Sequence, residues 1–371
     1  MAVQIVACEQ VSRLGVGLAP FSNDAGSAIP ILAGAYPHAG LVQQPDLIPL
    51  RDVPASGIRQ MDPLTRATLS CAQRVLTAAG LDEAHLDAEK SGLILGSAFG
   101  CTDSNEAFLQ PLVHSGPRFV QPVVFRNTVS NAVAGHLSIA LGFRGSNSVL
   151  NSGMLAGIQA LAYAFEEVSA GYCQVLLTGA CDWSSSVMIQ RYLMHAASEC
   201  PPVLPLIDGA CLLVLASRAD GESRAWYLRG YGLGYAASGR WAETLTATAQ
   251  LAIDRAEIPF DQIDMVVLQG YATMWWARPS GQVRVSLSRL IETMLSSGRM
   301  VCRAENTALP AMLSLVDCLL NLPRLRPPSL FFRNGPQDQG DRLPGAPRAL
   351  LYASLGADGS VANLVLQYEV N

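Results

Sequence analysis

The stretch that decides the fold is NAVAGHLSIALGFRGSNSVLNSGMLAGIQAL, residues 131–161. Its spacing predicts a helix over Asn131 to Leu141, a glycine-bounded turn, a strand over Ser148 to Ser152, and a tight turn at Gly153 into a helix reaching Ala170. A strand-turn-helix junction of this kind presents one side chain at a helix N-terminus, where backbone N–H groups and the helix dipole favour an anion. In catalytic proteins that position suits a thiolate or alkoxide nucleophile.

Outward from this junction, short apolar runs alternate with helical patterns. Gln4 to Cys8, Gly92 to Gly96, Gln174 to Gly179, Ala210 to Ala216, Met265 to Gln269 and Ala349 to Ala353 read as buried strands. Asp62 to Ala79 reads as a helix with an Asp-Pro start, and Trp241 to Ala256 and Leu309 to Leu322 repeat the helical spacing. The alternation predicts a layered α/β fold. Ala35 to Ala55 and Pro323 to Pro347 carry the turn signals of surface loops. A weak internal echo divides the chain into halves, residues 1–225 and 226–371, within one compact unit.

Composition narrows the function. The chain has 371 residues, 25 Lys+Arg against 30 Asp+Glu, and a formal net charge of -5. Lys90 is its single lysine, so a nucleic-acid or anionic-membrane surface is not expected. Charged residues make up 15% and hydrophobic ones 50%, which suggests surface hidden against another subunit. The first residues lack the pattern of a signal peptide, and no apolar run is long enough to span a bilayer, so a cytoplasmic protein is expected. Cys8, Cys71, Cys173 and Cys211 lie singly in apolar segments and read as buried hydrophobes, as does Cys101. His136 reads as structural, and His38, His85, His114 and His195 show no metal spacing.

The 131–161 stretch resembles the segment around the nucleophile of the β-ketoacyl synthases, members of the thiolase superfamily. MDPLTRATLSCAQRVLTAAGL, SGLILGSAFG and DGACLLVLAS resemble the early helix and flanking strands of that family. The resemblance implies a thiolase-like five-layered αβαβα fold of two pseudo-repeated halves. It also places Met154 where the family carries its cysteine. Gln269, in MVVLQGYATM, and Glu305, in CRAENTALPAM, stand where the family places histidines, Met300 aligns with its lysine, and Ala357 takes the place of an aromatic gate.

Those substitutions remove the chemistry of condensation. A thioether has no proton to lose and is a poor nucleophile. Gln269 can donate a hydrogen bond but cannot exchange protons as imidazole does. An ionised Glu305 about 4 Å from a developing enolate would oppose it by roughly 4 kcal/mol at an effective dielectric near 20. Loss of one oxyanion donor alone costs about 100- to 1000-fold. The resemblance therefore points to a divergent chain-length factor, the non-catalytic partner of a ketosynthase in type II polyketide, polyene or fatty-acid-like synthesis. Such a subunit implies a heterodimer with a catalytic ketosynthase, an acyl carrier protein bearing phosphopantetheine, and no metal or cofactor of its own. Phe108, Leu112, Phe119 and Phe125 lie where relatives line the dimer-side end of the acyl tunnel, with ordinary core packing as the competing reading. Two other classes stay open: an acyltransferase or condensing enzyme with unorthodox residues, and a homodimeric acyl-binding module.

Overall fold

A computed structural model describes residues 2–12, 15–16, 55–81, 86–188, 208–217, 224–236, 240–269, 300–303, 312, 315, 319, 331–332, 348–356 and 359–370. The strands are β1 (Val3–Ser12), β2 (Gly15–Val16), β3 (Ser91–Gly96), β4 (Asn147–Leu150), β5 (Val175–Asp182), β6 (Gly209–Ser217), β7 (Arg224–Tyr235), β8 (Met265–Gln269), β9 (Met300–Arg303), β10 (Phe331–Phe332), β11 (Ala349–Leu355) and β12 (Ser360–Val370). The longer helices are α1 (Pro63–Ala78), α2 (Thr102–Ser115), α3 (Ala132–Leu141), α4 (Ala156–Ser169) and α5 (Trp241–Ala256).

The 12-stranded sheet runs β10-β9-β8-β11-β12-β7-β1-β6-β5-β3-β4, with β2 beside β1. Outward from the centre, β1-β6-β5-β3-β4 and β7-β12-β11-β8-β9 repeat one order, antiparallel for the first two pairings and parallel for the last two. The halves meet where Val3 to Ile5 of β1 pair with Leu228 to Trp226 of β7. β7 begins at Arg224, so the expected break near residue 225 falls at a strand start.

Side-chain alternation sorts the sheet into layers, because neighbours along a strand point to opposite faces. Leu93, Leu95, Leu212 and Val214 face α1 and α3, whereas Ile94, Leu213 and Leu215 face α4. In the other half Leu350, Tyr352, Leu364 and Leu366 join the same inner cluster as α4, while Leu351, Ala353, Val361 and Val365 pack on α5. Helices thus cover both outer faces and fill the middle. This is the thiolase-like α/β fold.

Individual elements follow from local chemistry. Asp62 caps α1 by accepting the Thr65 N–H at 2.7 Å, and Pro63 sits where no helical donor is needed. Met312, Leu315 and Leu319, spaced three and four residues apart, are helical and buried in the inner cluster, in line with the expected helix there. β7 was hard to read because of its glycines. A side chain on Gly230 would meet the Ala252 carbonyl oxygen at 2.3 Å and one on Gly232 the Thr248 oxygen at 1.9 Å, so α5 lies directly on the strand's backbone. Phe331 and Phe332, inside the expected loop from Pro323 to Pro347, pair instead with Cys302 and Val301 of β9, because an open edge of β9 accepts them. The rest of that loop, and residues 35–54 of the other, lie outside the described residues.

Candidate functional site: the elbow before α4

The strand feeding the elbow starts and ends one or two residues earlier than its pattern suggests. β4 ends at Leu150, and α4 begins only at Ala156. The intervening turn needs Gly153 at φ 83, a region closed to most side chains, and the Ala156 N–H bonds the Gly153 carbonyl at 3.0 Å. Met154 is half-buried in this turn, directly before the helix cap Leu155. Ile158, Leu161 and Phe165 continue from it as buried residues of the inner core, as their spacing predicts.

The elbow is closely packed on two sides, by backbone at Gly96 and by side chains at Gly157. A side chain at Gly96, the last residue of β3, would lie 2.2 Å from the Ala156 carbonyl carbon and oxygen. One at Gly157 would meet Met312 at 2.6 Å and Ala180 of β5 at 2.7 Å. Asn151 Nδ2 donates to Ser130 Oγ at 2.6 Å, and the Ser152 hydroxyl donates to Gln159 Oε1. The position before α4 is therefore a shaped, rigid one, yet the sulfur that occupies it carries no acidic proton.

The loop after β3 was not singled out from sequence. Asp182 Oδ1, at the end of β5, accepts the Ser97 hydroxyl at 2.7 Å and the N–H groups of Ala98 and Phe99 at 2.8 and 3.0 Å. Its signal in the sequence is a carboxylate closing an apolar strand, LLTGACD. Glu106 of α2 was also missed. It accepts the Ser186 hydroxyl and, at 3.0 Å, the Val187 N–H. Burial raises its carboxyl, but these hydrogen bonds outweigh burial and leave it below the ordinary carboxylate value.

The remaining expected positions divide. Gln269 closes β8, opposite Ser354 of β11. Met300 is the first residue of β9 and pairs with Met265, at the opposite end of that strand pair from Gln269. Sequence alignment with the lysine thus puts Met300 one strand length from Gln269's end, a placement that does not suit a shared site. Glu305 and Ala357 lie outside the described residues.

Of Phe108, Leu112, Phe119 and Phe125, the structure brings Phe108 and Phe125 together, and none of the four lies in the buried core. Phe108 and Leu112 are half-buried, while Phe119 is 65% and Phe125 60% exposed, with the Phe108 and Phe125 rings 5.3 Å apart. Ordinary core packing is therefore excluded for the two exposed rings. Leu109, Val113, Val123, Val129 and Ile139 are exposed beside them in sequence, and α2 buries only Ser104. At the end of the sheet, β4 pairs only with β3 among the described residues.

Other singled-out groups are structural. His136 Nε2 bonds Asn127 Oδ1 at 3.0 Å, and Asn127 in turn donates to Gln60 O at 3.0 Å. Burial and then Arg126 hold the His136 imidazole below its ordinary value, with Asp62 opposing them. Cys101 is half-buried rather than buried, because its thiol reaches out to the Thr128 carbonyl at 3.0 Å. Cys8 is half-buried too, at the inner face of β1, and burial pushes its thiol up to about 12. Cys71, Cys173 and Cys211 are buried and free. His38, His85 and His195 lie outside the described residues. Among the described residues no helix is long and apolar enough to cross a membrane.

Comparison with known proteins agrees with this architecture. Residues 49–201, which contain the elbow, match the family model for the β-ketoacyl synthase N-terminal domain. Over those residues the chain is similar to the β-ketoacyl synthases. A 3-oxoacyl-[acyl-carrier-protein] synthase 2 of Vibrio harveyi is 30% identical over 128 residues, 34% of this chain and 31% of the relative. A granaticin polyketide putative β-ketoacyl synthase 1 of Streptomyces violaceoruber is 26% identical over 36% of this chain and 33% of its own. The match thus spans about a third of the length of these curated relatives. Among solved structures, the ishigamide ketosynthase/chain length factor aligns over 100% of both chains at TM-score 0.66 and 17% identity. A type II polyketide ketosynthase solved in complex with its acyl carrier protein aligns over 99% of both at TM-score 0.74 and 16% identity. These likenesses extend the shared fold over the whole chain, well beyond the residues whose sequences match.

Proposed function

We propose that this ketosynthase-like chain is a non-catalytic, chain-length-factor-like subunit that pairs with a catalytic ketosynthase and helps shape the acyl tunnel in type II polyketide, polyene or fatty-acid-like synthesis. The observation that carries this reading is Met154 at the start of α4, in the position where a thiolate would form. Gln269 and Glu305 in place of imidazoles, and Ala357 in place of an aromatic gate, accord with it. The partner supplies the thiolate, and an acyl carrier protein brings both thioesters on phosphopantetheine, so the chain needs no cofactor of its own.

The surface supports the pairing. Exposed apolar side chains between Leu109 and Ile139 are costly in water, and the β4 edge, which pairs only with β3 among the described residues, is a template for a second sheet. One solved structure of similar fold is described as a ketosynthase/chain length factor.

Purification alone and with a candidate catalytic ketosynthase tests the reading. The expected results are a one-to-one complex, condensation of acyl and malonyl thioesters by the complex, and none by the chain alone. Turnover by the isolated chain at an ordinary enzymatic rate would refute it.

A further inference from the structure

The apolar side chains exposed in the first half are flanked by charge of one sign. The stretch from Ala107 to Phe165 holds Arg118, Arg126 and Arg144 and no Asp or Glu, in a chain whose formal net charge is -5. Arg144 is answered by Glu89 at 3.3 Å. Arg118 and Arg126 are exposed and make no ion pair among the described residues. They bracket a segment folded back on α2: the turns Pro117–Phe119 and Pro122–Phe125 both pack against that helix, and the Phe125 ring lies 5.3 Å from Phe108. Leu109 and Val113, one turn apart on α2, are exposed, as are Phe119, Val123 and Phe125. Carboxylates of the neighbouring segments are engaged inside the chain. Glu106 accepts the Ser186 hydroxyl and the Val187 N–H, and Asp62 accepts the Thr65 N–H at 2.7 Å and the Ser104 hydroxyl at 2.8 Å. Asp103 lies in the first turn of α2, about 15 Å along the helix from Val113.

We infer that this surface docks a protein whose own face sets carboxylates around an apolar centre, and that Arg118 and Arg126 bar a second copy of this chain from it. The inference deepens the pairing reading above and rests on it for the partner's identity alone.

Charge decides against a second copy. A twofold contact sets one patch on itself, so the arginines of one copy would meet those of the other with no carboxylate between them. Like charges brought together as water leaves oppose the contact, whereas an acidic partner turns the same two groups into attraction and steering. Two observations argue against a lipid surface. The chain as a whole is negative, which repels it from anionic headgroups. Asn151, just past β4, donates to Ser130 on the segment between Phe125 and α3, so the β4 edge lies close by. Pairing only with β3 among the described residues, that edge offers backbone donors and acceptors that a protein satisfies and lipid does not.

Sedimentation of the full chain at about 50 mM and about 500 mM salt tests the exclusion of a second copy. The wild type should be monomeric at low salt, and Arg118→Gln combined with Arg126→Gln should self-associate roughly tenfold more tightly. Titration calorimetry with the candidate ketosynthase tests the partner's chemistry. Affinity should fall roughly tenfold on raising the salt, and at least as far with Arg118→Glu plus Arg126→Glu. Circular dichroism checks that each variant is folded. A glutamine variant that self-associates no more tightly than the wild type, or partner binding indifferent to both salt and charge reversal, overturns the inference while pairing itself stands. Capture of the wild type by phosphatidylglycerol vesicles, lost in the glutamine variant, would overturn it in favour of lipid. A ketosynthase that does not bind at all counts against the pairing reading, and sedimentation then decides the charge inference by itself.

Discussion

Gly96→Ala is the most direct challenge to the elbow's construction. The added methyl would lie 2.2 Å from the carbonyl carbon and oxygen of Ala156 and 2.4 Å from the nitrogen of Gly157, where ordinary contact begins at 3.4 Å. All three are main-chain atoms, so no rotamer change relieves the clash, and α4 or the end of β3 must retreat by about 1 Å. Gly96 is tied into the ladder opposite Leu150 and Ala180, which resists that movement. Overpacking by one methyl costs about 1–3 kcal/mol, and a rigid backbone on both sides puts this site near the upper figure. With a urea slope of about 3 kcal/mol/M the unfolding midpoint falls by about 1 M. Gly135→Ala is the matched control, since it sits inside α3 with nothing within 4 Å of its new methyl. That variant should gain about 0.5–1 kcal/mol from helix propensity. Equilibrium unfolding followed by circular dichroism reads both. If Gly96→Ala matches the wild type within 0.5 kcal/mol, β3 and α4 are not in backbone contact and the rigid elbow is wrong.

Met154→Cys alone should leave condensation undetectable in the isolated chain, because the altered groups at Gln269 and Glu305 still offer no imidazole; a radiolabelled malonyl condensation assay would show otherwise. Phe119→Ser combined with Phe125→Ser should leave the melting temperature of the isolated chain nearly unchanged, given the exposure of both rings, yet weaken binding to the partner ketosynthase at least tenfold by isothermal titration calorimetry. Retained affinity would place the interface elsewhere. His136 carries a pH dependence of its own: its imidazole is held below the ordinary value, so its contribution to stability is present above pH 6.5 and is lost as acid protonates it. Denaturation midpoints for His136→Gln should consequently fall less between pH 7 and 5 than those of the wild type, and parallel slopes would contradict the assignment.

What sequence disclosed depended on whether side chains or context set an element. α5 and β8 run over the expected residues, because their apolar periodicity and their boundaries coincide. β1 continues four residues beyond Cys8 through Glu9, Gln10 and Ser12, held by its ladder to β6 and by burial of Gln10, which no apolar pattern announces. β5 likewise runs past Gly179 to Asp182, where a polar terminus serves the neighbouring loop. β7 reads as a broken strand until α5 is seen to need its glycines. α2 has almost no buried face and a proline at position 111, so its amphipathic signal is absent for the same reason that its apolar side chains are exposed. At the site, the turn at Gly153 was legible because it is local. The Asp182 clasp was not, since it joins residues more than eighty positions apart.

The elbow holds its shape with methionine at position 154 for local reasons. The turn at Gly153, the close approach at Gly96 and Gly157 and the three bonds to Asp182 involve no atom of the residue at position 154 beyond its backbone. A flexible thioether fills the half-buried space without requiring a hydrogen-bond partner, so methionine there imposes no structural cost. The apolar face from Leu109 to Ile139 is a different matter. Left in water it would favour aggregation, and polar side chains would remove that hazard at no cost to a core these residues do not join. The elbow needs no partner to stay folded, whereas exposed apolar side chains are stabilised by whatever covers them.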